Sequence, residues 1–256
     1  MPWTALDWTA PWFAPYAPLG QALVRTIDAR GGCVSDGLNA VMAQQEAAGY
    51  VHRPLLGDAP GQPLHFVPQG DLPAGEAYET FIYRTGGVPT RDNLHDFLNG
   101  LMWLHHPGFK RQLNALQAAE IARAGGVQTR GPVRDALTLL DENGLILDAP
   151  PDLIDLLRQR RWADLLHGQR PRWPREVRFT LLGHALLEKL AAPYKSLTAH
   201  VWVWPQPGSL TPQRLATKPF LHLPVLGIPG WWPASVDPAF YEDAAVFRPL
   251  RLENSE

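Results

Sequence analysis

Two stretches of the chain carry residue types that could do chemistry together. The first is RDNLHDFLNGLMWLHH, residues 91–106. Set at helical spacing, Leu94, Phe97, Leu98, Leu101, Met102 and Leu104 fill one broad side. Asp92, His95, Asp96, Asn99, Trp103 and His106 share an arc of roughly a third of a turn. A helix face turned to water usually carries long charged chains, which also form helices well. Asn, Asp and His are weaker helix formers, so their grouping suits a fixed hydrogen-bond network or a cleft wall. Two readings follow. One is a buried polar network joining helices. The other is a site in which His95, Asp96 and Asn99 touch a metal or a polar ligand. The next helix repeats the theme with Lys110, Asn114 and Gln117 on one side. Amides do not serve as acid or base near neutral pH, but they orient partners well.

The second stretch is GHALLEKLAAPYKSLTAHVWVW, residues 183–204. His184 and Glu188 are four apart and share a helix face, a spacing used by metal ligands. On the strand that follows, Ser196, Thr198, His200, Trp202 and Trp204 share one side. Three nitrogen or oxygen ligands with one open position suit a catalytic Zn²⁺ or Mn²⁺. The expected metal set is therefore His184, Glu188 and His200. The competing reading is a plain surface pair at i,i+4.

These residues need elements to hold them. Helices are expected over about 19–30, 38–48, 91–106 and 110–124, with Ser35 or Asp36 capping the second and Thr90 or Asp92 the third. A strand is expected at Leu64–Val67, and another at YETFIYRT (78–85), which alternates and is rich in β-branched and aromatic residues. ALTLLDENGLILDA (136–149) reads as a β-hairpin turning at Asp-Glu-Asn-Gly. Two helical pieces follow at 152–161 and 162–167, then strand 176–183, helix 184–192 and strand 196–204. Residues 1–16 read as an extended aromatic arm, and 205–256 as a proline-rich C-terminal wrap. The fold class is α+β: a single domain of helices packed on short mixed or antiparallel strands, with long Pro- and Trp-rich loops.

The bulk numbers agree with that class and exclude others. The 256 residues suffice for a sizeable core. Hydrophobic residues make up 45% and charged residues 19%, a globular balance. A net charge of −2 gives no general attraction to nucleic acid or to an anionic membrane. Arg158, Arg160, Arg161, Arg170, Arg172, Arg175 and Arg178, with Trp162 and Trp173 among them, form a basic segment that could serve a nucleic-acid surface or ordinary packing. One cysteine, Cys33, rules out an internal disulfide. The N-terminal stretch lacks the basic cluster and continuous apolar run of a signal peptide, and no segment has the length of a membrane span. A cytoplasmic protein is expected. No GxGxxG, GxxxxGK[ST] or GxSxG motif occurs.

VPTRDNLHDFLNGLMWL, LNALQAAEI, RDALTLLDENG, GHALLEKL, LTAHV and LGIPGWWP resemble an uncharacterised bacterial family, domain of unknown function 3025. The resemblance covers most of the chain after about residue 76. It implies one domain in a bacterial cytoplasm and transfers no catalytic residue. A fainter likeness is to ββα-metal nucleases, in which a strand pair precedes a helix bearing an Asn ligand. Here Asn93 and Asn99 stand on such a helix, but no histidine ends the preceding strand.

The leading expectation is a metal-assisted hydrolase of a small polar or phosphorylated substrate. His184, Glu188 and His200 would hold the metal, and His95 or Asp96 would act as general base on a water. Asn99, Trp103, Asn114, Gln117 and Arg134 would contact substrate. The alternative is a non-catalytic module that binds a ligand or a protein through aromatic loops, with Trp103, Trp231 and Trp232 lining a groove. Neither reading expects a membrane.

Overall fold

Proline starts many of the helices. In the computed structural model, which describes residues 1–49, 62–126, 131–204 and 210–250, a proline occupies the first two positions of six of them. The missing N–H is one a helix leaves unpaired in any case, and the fixed φ suits the first turn. The helices and strands run, in order, α1 (Ala17–Ala29), α2 (Val34–Ala47), β1 (His65–Pro68), α3 (Tyr78–Thr85), β2 (Gly87–Thr90), α4 (Leu94–His105), α5 (Pro107–Arg123) and α6 (Pro132–Asn143). They continue as β3 (Gly144–Asp148), α7 (Pro151–Arg158), α8 (Trp173–Glu176), β4 (Arg178–Leu181), α9 (His184–Leu190), β5 (Thr198–Val203), α10 (Pro212–Ala216) and β6 (Leu221–Pro224). The prolines in question head α1, α5, α6, α7, α8 and α10.

Strands β1 and β2 pair in parallel. The larger sheet has the order β4-β3-β5-β6, with β3 and β5 parallel and both edge strands antiparallel to their neighbours. Its two faces divide the core. Leu145, Leu147, Ala199, Val201 and Leu223 face the main cluster, which includes Phe97, Leu98 and Leu101 of α4. Ile146 and Trp202 face a second cluster built on Leu137 and Leu140 of α6 and Phe109 of α5. This is an α+β domain, and no helix among the described residues is long and apolar enough to cross a membrane.

Two elements differ from the sequence expectation, and both bear on the site. YETFIYRT is helix α3, not a strand. Glu79 lies in its first turn and Arg84 in its last, matching the helix dipole. Gly86 closes it in the left-handed region at φ 74°, its N–H donating to Ile82 O. ALTLLDEN is the body of helix α6, not the first arm of a hairpin. A short apolar run has no periodicity that separates a strand from a buried helix turn. Asp141, Glu142 and Asn143 therefore form the last turn of a helix. Gly144 opens β3 with φ −75° and ψ 142°, so it makes no tight turn. A Cβ there would lie 2.1 Å from Leu140 O, which is why the residue must be small.

Smaller differences follow the same physics. The N-cap of α4 is Asn93, whose Oδ1 accepts from Asp96 N at 2.7 Å, rather than Thr90 or Asp92. Asp92 instead accepts from Val34 N at 2.7 Å and so caps α2, the task expected of Ser35 or Asp36. The N-terminal arm is folded into 3₁₀ turns instead of being extended. Trp3 is fully buried and stacks on Phe97 with ring centroids 5.4 Å apart. The C-terminal wrap contains α10 and β6, and β6 completes the sheet. Residues 205–209 and 251–256 of that wrap lie outside the described residues.

Candidate active site

Helix α4 is buried without interruption from Asp96 to Leu104. Its polar stripe therefore meets protein on most sides. Helix α9 packs against it, and the start of α9 lies against the end of α6. Gly183, the residue before α9, permits that approach: a Cβ there would lie 2.5 Å from Glu142 O and 2.6 Å from Asn143 Cα. The three helices enclose a cavity of about 350 Å³ lined by His95, Asp96, Asn99, Gln117, Asp141, Glu142 and His184, with Tyr78, Glu79 and Arg91 completing its wall. The two histidine-bearing stretches of the sequence thus meet in one hollow.

At its centre four groups form a line. His184 Nδ1 lies 2.9 Å from the Asp141 backbone carbonyl. His184 Nε2 lies 3.1 Å from His95 Nε2. His95 Nδ1 lies 2.7 Å from Glu188 Oε2. The carbonyl and the carboxylate both accept, so each histidine places its own proton on Nδ1. That leaves two Nε2 lone pairs facing each other. Two facing lone pairs repel, and a proton or a metal ion between them would relieve that repulsion. Backbone or carboxylate acceptors on the outer nitrogens are also the arrangement that orients metal-ligating histidines.

His184 is nearly inaccessible, and burial drives its pKa down to about 4, with Asp141 opposing and Lys110 assisting. It is neutral at pH 7, the form that offers a lone pair. A stability effect follows for the metal-free protein. The unfolded chain takes up a proton at this residue near pH 6.5, whereas the folded chain does so only near pH 4. Stability contributed by the neutral His184 is therefore complete above pH 6.5 and is lost as pH falls to 4, by roughly 3 kcal/mol. Urea melts of the EDTA-treated protein across that window should show the fall, and His184→Gln should flatten it. Equal pH slopes in the two proteins would contradict the assignment.

Behind the histidines lies a buried cation. Lys110, 4% exposed, donates to Asn99 Oδ1 at 2.8 Å and to Asp141 Oδ1, and stands 5.5 Å from the centroid of the Trp103 ring. Burial pushes the Asp141 carboxyl upward, but Lys110, with His184 and His95, outweighs it and the net shift is downward. Asn99 Nδ2 donates to the Tyr78 hydroxyl at 3.1 Å, whose own ionisation is suppressed by burial. Asp96 is held by Arg91, which donates to it from its backbone N–H at 2.7 Å and from two guanidinium nitrogens at 2.9 and 3.0 Å. With its lone pairs so occupied, Asp96 is a poor candidate for the general base.

The expected residues separate into two groups. His95, Asp96, Asn99, Gln117, His184 and Glu188 come together at or beside the cavity. His200 does not join them: its ring packs on Phe220 and His222, with centroids 6.0 and 5.1 Å apart. Strand β5 pairs residue by residue with β3, which fixes His200 opposite Gly144 and directs it to the sheet's other neighbours. Glu188 binds the outer nitrogen of His95, so its carboxylate orients that ring. Among the described residues no three His, Cys, Asp or Glu groups are arranged as a metal shell. Asn114 donates to Glu79 O at 2.8 Å and borders a smaller neighbouring cavity with Trp103. Arg134 is buried in α6 away from the cavity wall. Trp103 and Trp231 are interior residues, the latter packed on Trp12 and Phe179, so they do not line an open groove with Trp232. The nuclease likeness also departs in outline, since β1 and β2 are parallel and enclose α3 between them.

Lys110 and Asp141 are the site components least visible in the sequence. Lys110 does share a helix side with Asn114 and Gln117, an amide-rich stripe on which one lysine is out of place. Asp141 is hidden by a turn-like tetrapeptide.

No curated protein and no solved structure matches the chain. The family described as protein of unknown function (DUF3025) matches residues 64–213 and 208–251. All residues of the cavity fall within the first of these segments. The chain belongs to the DUF3025 family.

Proposed function

We propose that the α4–α6–α9 cavity is the active site of a metal-assisted hydrolase acting on a small polar or phosphorylated substrate. One observation carries this reading: two imidazoles, each tied through Nδ1 to an acceptor, converge at 3.1 Å through Nε2 on an acidic hollow. The wall has four carboxylates, Glu79, Asp96, Asp141 and Glu142, against the single guanidinium of Arg91. Arg91 neutralises Asp96 and Lys110 neutralises Asp141. Glu79 and Glu142 have no ion-pair partner among the described residues. The surplus negative charge favours a cation between the histidines, and imidazole nitrogen suits Zn²⁺ or Mn²⁺.

In this reading His95 and His184 would hold the metal, which would supply Lewis-acid activation of a water. Glu188 and the Asp141 carbonyl orient the two rings. Glu142, on the wall and free of a cationic partner among the described residues, takes the role of base on the attacking water in place of His95 or Asp96. A phosphorylated substrate would reach this acidic wall only with the metal in place to offset the repulsion.

Protein loaded with Zn²⁺ or Mn²⁺ should hydrolyse at least one member of a panel of chromogenic phosphate, carboxylate and amide esters. Glu142→Gln should lower kcat by about 10²-fold or more while leaving metal content unchanged. A rate equal to that of His184→Gln across the whole panel would refute the reading.

A further inference from the structure

A second cavity, of about 380 Å³, lies where the chain after α7 meets β5, β6 and the C-terminal segment. Arg160, Arg248 and His222 line it together with the hydroxyl residues Ser196 and Thr198, and among the described residues no carboxylate lines it. Its other wall is apolar, made by Trp162, Pro224 and Val246. We propose that this cavity binds a small organic phosphate monoester, its dianion between Arg160 and Arg248 and its organic part on the Trp162 wall. The proposal is independent of the hydrolase reading.

The neighbouring arginines fall into two groups. Arg158 pairs with Asp155 at 2.8 Å and Arg161 with Asp164 at 2.7 Å. Arg172 is shared between Asp152 and Glu176. Three of the seven arginines of the basic segment are therefore neutralised on the surface, as ordinary i,i+3 and i,i+4 pairs are. Arg160, like Arg170, Arg175 and Arg178, has no carboxylate partner among the described residues, and of these four it alone lines the cavity. Arg248 likewise has no acidic partner there, and its Nε donates to the Ala245 carbonyl at 3.1 Å. Two uncompensated guanidinium groups around one hollow repel each other unless an anion is present. Their forked donors match a phosphate, which can accept from both.

Arg160 also occupies a backbone position that favours glycine. Its φ is 54°, one of two positive values among the described non-glycine residues. It follows the end of α7, where Arg160 N–H donates to Leu157 O and Arg161 N–H to Leu156 O, closing the helix. A glycine would close it at lower conformational cost. An arginine kept there directs a guanidinium into the cavity at some expense of local strain. Its charge, after the effect of burial, helps hold His222 below the usual histidine range. The walls are tied together as well: Trp162 Nε1 donates to Arg248 O at 2.8 Å, so the apolar wall and the second arginine are positioned as a unit. Thr198 Oγ1 donates to Ser196 O at 3.1 Å, which leaves its lone pairs and the Ser196 hydroxyl for hydrogen bonds with the ligand. The volume is in the range of small-molecule sites.

Calorimetric titration of metal-free protein with phenyl phosphate, inorganic phosphate and benzoate tests this. Phenyl phosphate should bind more tightly than the other two, and His184→Gln should bind it as the wild type does, which separates this site from the histidine cavity. Arg248→Gln and Arg160→Gly should each weaken binding by about tenfold or more. Arg160→Gly should also melt no lower than the wild type, since glycine accepts the left-handed backbone. Unchanged affinity in both arginine variants would overturn the proposal, as would the absence of binding at millimolar phenyl phosphate. Inorganic phosphate or benzoate binding as tightly as phenyl phosphate would overturn the assignment of a phosphate monoester.

Discussion

Lys110→Met should destabilise the protein by roughly 3 kcal/mol, a large effect for one substitution. The reason is asymmetric. Lys110 is almost completely buried, and methionine fills similar space, so little packing is lost. What remains is Asp141, three-quarters covered and deprived of the only cation bonded to it among the described residues. Asn99 Oδ1 loses its donor at the same time. An uncompensated buried carboxylate costs far more than an intact pair contributes. The single variant should therefore unfold at markedly lower urea with an unchanged slope, and adding Asp141→Asn should restore part of the loss. The Asp141 carboxyl, now held down by Lys110, should titrate at higher pH in Lys110→Met. A loss below about 1 kcal/mol, within the range of an exposed pair, would show that the lysine is not the electrostatic support of the cavity.

The second large effect concerns the histidines. With both Nδ1 atoms engaged, His184→Gln removes one of two converging lone pairs and, in the proposed reading, one of two protein ligands. Zinc affinity should fall by about a hundredfold or more, whereas Glu188→Gln should lower it by about tenfold, because its carboxylate only orients and polarises His95. His200→Gln should leave affinity unchanged, since that ring lies with Phe220 and His222. The order of the three effects matters more than any one value. Equal losses in all three would restore the ligand set His184, Glu188 and His200 read from residue spacing.

The polar stripe of α4 is legible because its residue types conflict with a solvated helix face. That conflict locates the site, though not the partner each residue takes. Helical spacing of His184 and Glu188 puts them on one face, yet spacing alone does not say which meets a ligand and which meets another histidine. The structure makes Glu188 the support of His95, a contact across 93 residues of chain. Strand alternation places His200 beside Trp202 correctly on one side of β5. The surroundings of that side depend on the pairing with β3, a strand that reads locally as the second arm of a hairpin. The same local reading removes Asp141 from view. An aspartate before Glu-Asn-Gly has the local chemistry of a turn, and only the packing of Leu137 and Leu140 under the sheet makes the segment helical. Prolines read as signs of irregular loop, while six of the helices use one to begin.

The central claim is that His95 and His184 share a cation, and zinc titration followed by calorimetry measures it most directly. The account predicts one Zn²⁺ per chain, with binding lost in His184→Gln. A wild type that binds no Zn²⁺ or Mn²⁺, and whose melting temperature neither metal raises, would contradict it.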